Sequence, residues 1–144
     1  MQVQHILKEK GENAVITVAP GSALSEVAEK LSVHRIGAVL VSTDGKTVAG
    51  IVSERDVVRV LGRQGAACLA EKVENVMTAN PEACTLNEGV ESVMNRMSRG
   101  GFRHMPVVEG GELVGVISIR DVIKAQVAML AMEKEALTGM IMGN

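Results

Sequence analysis

Two eight-residue segments carry the same polar residues in the same order. The segments are GIVSERDV at 50–57 and GVISIRDV at 115–122, and the shared polar residues are Ser53, Arg55, Asp56, Ser118, Arg120 and Asp121. A serine hydroxyl and an arginine guanidinium donate hydrogen bonds that suit a phosphate, whereas a carboxylate accepts two from a vicinal diol such as the 2′- and 3′-hydroxyls of ribose. The combination predicts a ligand that carries both groups, which is a nucleotide.

The same residues also fit the start of a helix. Ser53-x-x-Asp56 and Ser118-x-x-Asp121 each match a capping box, in which the hydroxyl and the carboxylate accept hydrogen bonds from backbone N–H groups. A cap alone requires neither the glycine at positions 50 and 115 nor the arginine before each aspartate. A helix start also attracts phosphate through its unpaired N–H groups, so capping and phosphate binding are compatible.

The sequence around the two segments is repeated as well. An amphipathic helix is predicted in each copy by apolar residues at i, i+3, i+4 and i+7, namely Leu24, Val27, Ala28 and Leu31, then Val90, Val93, Met94 and Met97. Two apolar runs follow each helix, separated by a turn at Asp44-Gly45 or Gly110-Gly111, and predict an antiparallel hairpin. A further helix follows each polar segment, so each copy is predicted as β-α-β-β-α. The lead-ins VQHIL (3–7) and VENVM (73–77) are also alike.

The repeat predicts an α/β (α+β) fold made of two similar halves. We divide the chain into repeat 1 (1–62), a linker (63–72), repeat 2 (73–126) and a C-terminal helical extension (127–144). A half of this size buries too little apolar surface to be stable alone, so the two repeats must pack together. A pseudo-two-fold pair with the sheets side by side would create two related clefts.

Composition argues against several other classes of protein. The chain has 144 residues, a net charge of −2 and one aromatic residue, Phe102, so it offers little for nucleic-acid binding. Cys68, Cys84 and the three histidines show no spacing typical of a disulfide framework or a metal site. The N-terminus has no signal-peptide pattern and no apolar run approaches the length of a membrane span, so we expect a cytoplasmic protein without a membrane partner.

The C-terminal extension is predicted as a helix with apolar residues on several faces. Such a helix could cover the core of its own chain. Because the repeat is already complete near Gln126, we favour a homodimer interface formed by the repeat faces and by Val127, Leu130, Ala131 and the methionines of the tail. Methionine suits such a surface because its side chain adapts to irregular contacts.

The tandem pattern resembles a pair of cystathionine-β-synthase (CBS) domains, also called a Bateman module. The resemblance runs from about Val3 to about Gln126 and depends on the G-h-h-S-x-x-D phrase occurring twice with matched helices and hairpins. Such modules bind an adenosine ligand between the repeats and regulate another protein. The resemblance implies AMP as the first candidate, with ADP, ATP, NAD(H) and S-adenosylmethionine as alternatives, and an effector protein that the sequence does not identify.

The resemblance also implies two sets of site residues, with Asp121 and Asp56 as the ribose-diol acceptors. Cleft A, around Asp121, is lined by Ala14, Val15, Phe102, Arg103, His104, Ser118, Arg120 and Asp121. Cleft B, around Asp56, is lined by Ile36, Gly37, Ser53, Arg55, Asp56, Thr78, Ala83 and Cys84. No residue is assigned a catalytic or metal-binding role.

The two clefts are expected to differ in charge. We align Arg103-His104-Met105-Pro106 of the second hairpin with Ile36-Gly37-Ala38-Val39 of the first, which has no basic residue there. Cleft A should therefore take the more highly charged nucleotide. Two rival functions stay open: an enzyme that acts on nucleotides, which would need a nucleophile or a metal-binding carboxylate cluster, and a structural dimerisation module with empty clefts.

Overall fold

The structure is a computed structural model, and it describes residues 1–11 and 15–143. The helices are α1 (Val3–Lys10), α2 (Leu24–His34), α3 (Glu54–Gln64), α4 (Val90–Gly100) and α5 (Ile119–Ile141). The strands are β1 (Thr17–Val18), β2 (Ala38–Val41), β3 (Gly50–Ser53), β4 (Thr78–Ala79), β5 (His104–Glu109) and β6 (Glu112–Ser118). Short 3-10 turns span Gly65–Ala70 and Val73–Asn75. This mixed order confirms the predicted α/β class.

The amphipathic helices of the two repeats are α2 and α4. Each is eleven residues long, and the predicted apolar positions bury Leu24, Val27 and Leu31 in α2 and Val90, Val93 and Met97 in α4. Ala28 and Met94 are half-buried at the margin of the same faces. The helical period of the apolar residues therefore gives the packed face correctly in both repeats.

Each helix leads into an antiparallel hairpin, as predicted. In the second hairpin Glu109 pairs with Glu112, so the loop is only Gly110-Gly111, and both glycines have positive φ (59° and 81°). Two-residue hairpin loops favour glycine because both central residues take this left-handed backbone. In the first hairpin the turn is longer, and the Asp44 carboxylate accepts hydrogen bonds from the Lys46 and Thr47 N–H groups at 2.8 Å.

The strands form two sheets of unequal size. The first sheet has the order β1-β2-β3-β4, with β1 parallel to β2 and the other pairs antiparallel. The fourth strand, β4, comes from the start of repeat 2. The second sheet is the β5-β6 hairpin, beside which Cys84 forms an isolated parallel bridge with Val107.

The lead-in segment that precedes each repeat packs against the other repeat, so the two lead-ins are exchanged. The Val3 N–H donates to the Glu88 carbonyl (2.9 Å) in repeat 2, and the Val73 N–H donates to the Ser22 carbonyl (2.8 Å) in repeat 1. Val3 and Val73 are the first residues of the two similar lead-ins, so these contacts are equivalent. The packing units therefore do not coincide with the repeats as divided along the sequence.

Among the described residues, the buried apolar side chains form three clusters. The first core joins repeat 1 to the lead-in of repeat 2 and contains Val18, Leu24, Val27, Leu31, Val39, Val41, Val52, Cys68 and Val73. The second core joins repeat 2 to α1 and contains Val3, Ile6, Cys84, Val90, Val93, Met97, Met105, Val107, Ile117, Val122 and Ala125. A smaller inter-sheet cluster sets Ala38, Leu40 and Ile51 against Leu113 and Val116, which holds the halves together.

The segment predicted as a linker contributes to the first core. Its 3-10 turn (Gly65–Ala70) buries Cys68, which is 1% exposed, and Glu71 accepts a backbone hydrogen bond from Leu24 at the start of α2. The chain from 63 to 72 is thus packed against repeat 1 on its way to repeat 2.

The hairpin register corrects the alignment of the two repeats by one residue. Ala38 pairs with Ser53, and His104 pairs with Ser118. The Glu54 N–H donates to Gly37, and the Ile119 N–H donates to Arg103, so Gly37 is equivalent to Arg103. Apolar residues fill neighbouring positions in both strands, so hydrophobicity alone left the alignment free to slip.

The last helix, α5, extends well beyond the repeat. Its first turns bury Val122 and Ala125 in the second core, whereas Val127, Leu130, Met132, Leu137, Met140 and Ile141 are exposed. Within the described part of the chain, no helix has both the length and the apolar character that crossing a membrane requires.

Candidate functional site

The two polar segments begin helices α3 and α5, and both form the predicted capping box. The Asp56 N–H donates to Ser53 Oγ (3.2 Å), and the Ser53 N–H donates to Asp56 Oδ2 (2.8 Å). The corresponding distances at Ser118 and Asp121 are 3.1 and 2.9 Å. Capping uses part of each carboxylate, which can accept about four hydrogen bonds in total.

The glycine that begins each segment has a packing role. A Cβ on Gly115 would lie 2.8 Å from Leu7 Cδ2, and a Cβ on Gly50 would lie 2.9 Å from Met77 Cγ. Leu7 and Met77 are the last residues of the two exchanged lead-ins. The glycines, which capping did not explain, are therefore needed for the close approach of these side chains.

In cleft B, Asp56 pairs with a cation of its own helix. Arg59 Nη1 lies 2.9 Å from Asp56 Oδ1, at an i,i+3 spacing. Ser53 adds a second hydrogen bond to the same carboxylate, because its Oγ lies 3.0 Å from Oδ2. The Asp56 side chain is 15% exposed, so an edge of the carboxylate reaches the surface.

In cleft A, Asp121 pairs with a cation from a distant element. Lys10 Nζ, at the end of α1, lies 2.9 Å from Asp121 Oδ2 and 3.1 Å from the Val116 carbonyl. Burial by itself would raise the pKa of Asp121, but hydrogen bonds from Ser118 and Lys10 outweigh it and lower that pKa below its ordinary value. Asp121 is therefore ionised at neutral pH.

His104 lies where the two repeats meet. A Cβ on Gly37 would be 2.8 Å from His104 Nε2 and 3.7 Å from Glu54 Oε1, so the imidazole ring, Gly37 and Glu54 are neighbours. Burial lowers the pKa of His104, with smaller opposing effects from Glu54 and Asp121, while Lys10 and Arg103 lower it further. The charges of Asp121, Lys10 and Arg103 therefore all affect the protonation of His104.

The other residues expected in cleft A are spread around this centre. Ala14 lies outside the described residues. Val15 is half-buried and packs against the inter-sheet cluster, and Phe102 packs its ring against Gly100 at the margin of the second core. Arg103 and Arg120 are exposed near the start of β5 and in the first turn of α5.

The residues expected in cleft B divide into a surface group and a core group. Arg55 and Thr78 are exposed, with Thr78 paired to Ile51 at the edge of the first sheet. Ile36 packs against the first core, and the Ala83 carbonyl accepts a hydrogen bond from Arg96 (2.9 Å).

Cys84 is part of the protein core. Its side chain is 2% exposed and packs in the second core. Burial, with a smaller effect from Glu88, raises the pKa of this thiol to about 12. The side chain is therefore a neutral packing group, and we do not keep Cys84 among the expected ligand contacts. Among the described residues, His, Cys, Asp and Glu form no group of three that could hold a metal ion.

Sequence reasoning missed the two cations that bind the aspartates. The i,i+3 spacing of Asp56 and Arg59 on one helix was a usable signal. Lys10 gave no such signal, because it reaches Asp121 from 111 residues away. Glu54 and Ile119 occupy the same position in the two otherwise similar eight-residue segments. Glu54 lies next to His104, whereas Ile119 packs against the second core.

Comparison with known proteins agrees with the tandem repeat. The family model for the CBS domain matches residues 12–63 and 73–128. A 17.7 kDa protein of Acidianus ambivalens is 31% identical over 112 residues, which are 77% of this chain and 66% of the relative. The chain spans only 25% of a CBS domain-containing protein of Arabidopsis thaliana with which it is 27% identical.

Solved structures show the same architecture. A CBS-domain containing protein of Agrobacterium tumefaciens is 43% identical, with a TM-score of 0.82 over 88% of this chain and 99% of that one. A CBS domain protein of Pyrobaculum aerophilum, solved with AMP, is 27% identical, with a TM-score of 0.74 over 84% of this chain and 89% of that one. From its two matched repeats and this shared fold, the chain belongs to the CBS domain family and contains a tandem pair of the domain.

Proposed function

We propose that this chain is a regulatory module that binds adenine nucleotides in cleft A and cleft B and acts on a partner protein. The observation that carries the proposal is the arrangement at the starts of α3 and α5. In both, a half-buried aspartate, which can accept hydrogen bonds from ribose hydroxyls, lies beside a serine hydroxyl at the positive end of a helix, which favours a phosphate. The Pyrobaculum relative solved with AMP supports this ligand class.

AMP is the first candidate ligand for cleft A. Asp121 would accept hydrogen bonds from the ribose hydroxyls, and Arg103, His104 and Arg120 carry or can carry the positive charge that a phosphate requires. Val15 and the backbone of Phe102 would contact the adenine. Ala14 belongs to the same proposal by its place in the sequence.

Cleft B is proposed as the weaker site. Asp56 would accept the ribose hydroxyls, with Ser53 and Arg55 toward the phosphate and with Ile36, Gly37, Thr78 and Ala83 around the base. Its hairpin has Gly37 and Ala38 at the positions of Arg103 and His104, so fewer cations are within reach of a phosphate. A less charged adenosine compound fits this cleft better.

Regulation would follow from a shift in the relative position of the repeats. Each cleft takes residues from both repeats, so a bound nucleotide stabilises one arrangement of the two halves by its differential affinity. An effector protein would bind that arrangement preferentially. We also propose a homodimer, because Ile123, Val127, Leu130, Lys134, Leu137 and Ile141 follow a spacing of four and three residues along α5, as in a coiled-coil seam.

Calorimetric titration with AMP tests the binding function and the difference between the clefts. Asp121→Asn should weaken AMP binding by about 10- to 100-fold, the range expected for a lost hydrogen bond to a charged group, while the asparagine Oδ1 can still accept the hydrogen bond from the Ser118 N–H. Asp56→Asn should remove only the weaker binding event. Glu91→Gln, an exposed carboxylate on α4, is the control for the same change in charge.

Three results would contradict the proposal or a part of it. No heat and no thermal shift with AMP, ADP, ATP, NAD(H) or S-adenosylmethionine would rule out nucleotide sensing and favour a structural module. Equal losses from Asp121→Asn and Asp56→Asn would remove the proposed difference between the clefts. Turnover of AMP, ATP or NAD during the same incubations would instead show an enzyme.

A further inference from the structure

The carboxylate proposed to bind ribose in cleft A forms an ion pair with Lys10. Lys10 Nζ lies 2.9 Å from Asp121 Oδ2, and the two side chains are 34% and 20% exposed. The Asp121 carboxylate therefore already has a charged partner, with which the hydroxyls of a ribose would compete.

The equivalent carboxylate in cleft B is held differently. Asp56 pairs with Arg59, which is three residues further along the same helix, so the backbone positions of the two residues stay close whenever α3 is intact. Lys10 belongs to α1, the exchanged lead-in, and reaches Asp121 through a flexible four-carbon side chain. The Lys10–Asp121 ion pair is partly exposed, so exchanging it for a pair with another anion nearby changes its contribution to the free energy little.

Lys10 is also close to the groups that would bind a phosphate. Its charge, like that of Arg103, opposes protonation of His104, and the charge of Asp121 favours it. His104 pairs with Ser118 across the hairpin, and the Arg103 carbonyl accepts a hydrogen bond from the Ile119 N–H, so both residues lie beside the start of α5, where Lys10 reaches Asp121. A phosphate in this region would offer Lys10 an alternative partner to Asp121.

We propose that Lys10 determines the specificity of cleft A for phosphorylated adenosine over neutral adenosine compounds. The phosphate of AMP attracts the Lys10 ammonium and releases the Asp121 carboxylate for the ribose hydroxyls. Adenosine has the same ribose but no phosphate, so it must compete with Lys10 for Asp121. This inference depends on the proposed nucleotide-binding function and assigns a selecting residue to it.

Calorimetry with AMP and adenosine tests this role, in an Asp56→Asn background so that cleft A is measured alone. Lys10→Met should weaken AMP binding and strengthen adenosine binding, and the preference for AMP over adenosine should fall by about tenfold or more. Lys10→Arg, which retains the positive charge, should keep the preference. Lys8→Met is the matched control, because Lys8 is an exposed lysine of the same helix.

Each outcome of this experiment shows whether Lys10 selects AMP over adenosine. Thermal unfolding of each variant first confirms that α1 is still packed. An unchanged AMP-to-adenosine ratio in Lys10→Met, or an equal fall in Lys8→Met, would show that Lys10 has no selecting role. If the chain with Lys10 intact binds neither AMP nor adenosine, the proposed function fails, and this inference fails with it. If that chain binds AMP and only the ratio in Lys10→Met is unchanged, the proposed function stands and the inference on Lys10 alone is wrong.

Discussion

At the scale of single residues, the serine and aspartate of each repeat have two tasks. They cap α3 and α5, and one or more acceptor positions of each carboxylate are left for further partners. Those partners include Arg59 at Asp56 and Lys10 at Asp121. Capping and ligand binding are therefore compatible, because the cap fixes the direction of the carboxylate and so prepares it for a ribose.

Proton uptake on AMP binding tests the role of His104. Burial, Lys10 and Arg103 hold the pKa of His104 below its ordinary value of 6.5 against Glu54 and Asp121, so the ring is neutral at pH 7 in the ligand-free protein. A phosphate beside the ring would raise this pKa. AMP binding should then take up protons, and the His104 contribution to affinity should increase as the pH falls from about 7.5 to about 6.

The measurement compares binding heats in two buffers of different ionisation enthalpy. His104→Asn should abolish most of the uptake, which separates the contribution of the ring from protonation of AMP itself. Equal uptake in His104→Asn and in the unmodified chain would remove His104 from the phosphate site.

At the scale of elements, the molecule is held together by exchanged lead-ins. Leu7 at the end of one lead-in packs on Gly115, and Met77 at the end of the other packs on Gly50. These contacts connect α1 to β6 and β4 to β3, directly before the helix starts that carry Ser53 and Ser118. The position of each candidate cleft therefore depends on the lead-in of the other repeat.

Adding a methyl group at these glycines tests the packing. Gly115→Ala should lower the free energy of unfolding by about 1 kcal/mol, because the flexible Leu7 side chain must turn away from the added Cβ. Gly62→Ala is the control, since nothing lies within 4 Å of its Cβ in α3, and it should raise stability by about 0.5–1 kcal/mol. Denaturant unfolding measures both changes.

The Leu7→Ala variant completes this experiment. The double variant Leu7→Ala/Gly115→Ala should lose less free energy of unfolding than the sum of the losses in the two single variants. The reason is that the shorter side chain at position 7 makes room for the methyl group at position 115. Strict additivity would show that Leu7 and residue 115 do not interact.

At the scale of the whole molecule, α5 provides an apolar surface beyond the tandem pair. Its exposed Ile123, Val127, Leu130 and Leu137 lie along one side of the helix, and Val58 and Leu61 of α3 are also exposed. A row of exposed apolar side chains along one side of a helix is typical of an interaction site. A second copy would cover it through the same spacing on its own α5.

A single charge on this surface should separate the proposed dimer. Leu130→Glu places a carboxylate in the seam and should give a monomer in sedimentation velocity, as should deletion of residues 127–144. Met132→Glu introduces the same charge on another side of α5 and should leave the dimer intact. A dimer that survives both Leu130→Glu and the deletion would place the interface elsewhere.

Local patterns in the sequence predicted much of the fold. The periods of Leu24, Val27 and Leu31 and of Val90, Val93 and Met97 gave the buried faces of α2 and α4, and Gly110-Gly111 gave the hairpin turn. The two capping boxes were also predicted. All of these depend on residues within a few positions of one another, where backbone geometry limits the possible structures.

The sequence by itself determined the repeat, its elements and the residue types available to bind a nucleotide. Only the tertiary structure decided that the lead-ins are exchanged, that Cys84 is in the core, and that Lys10 reaches Asp121. Lys10 and Asp121 are 111 residues apart, and no local period relates them. Such contacts depend on how the two halves pack against each other, which is a property of the whole chain.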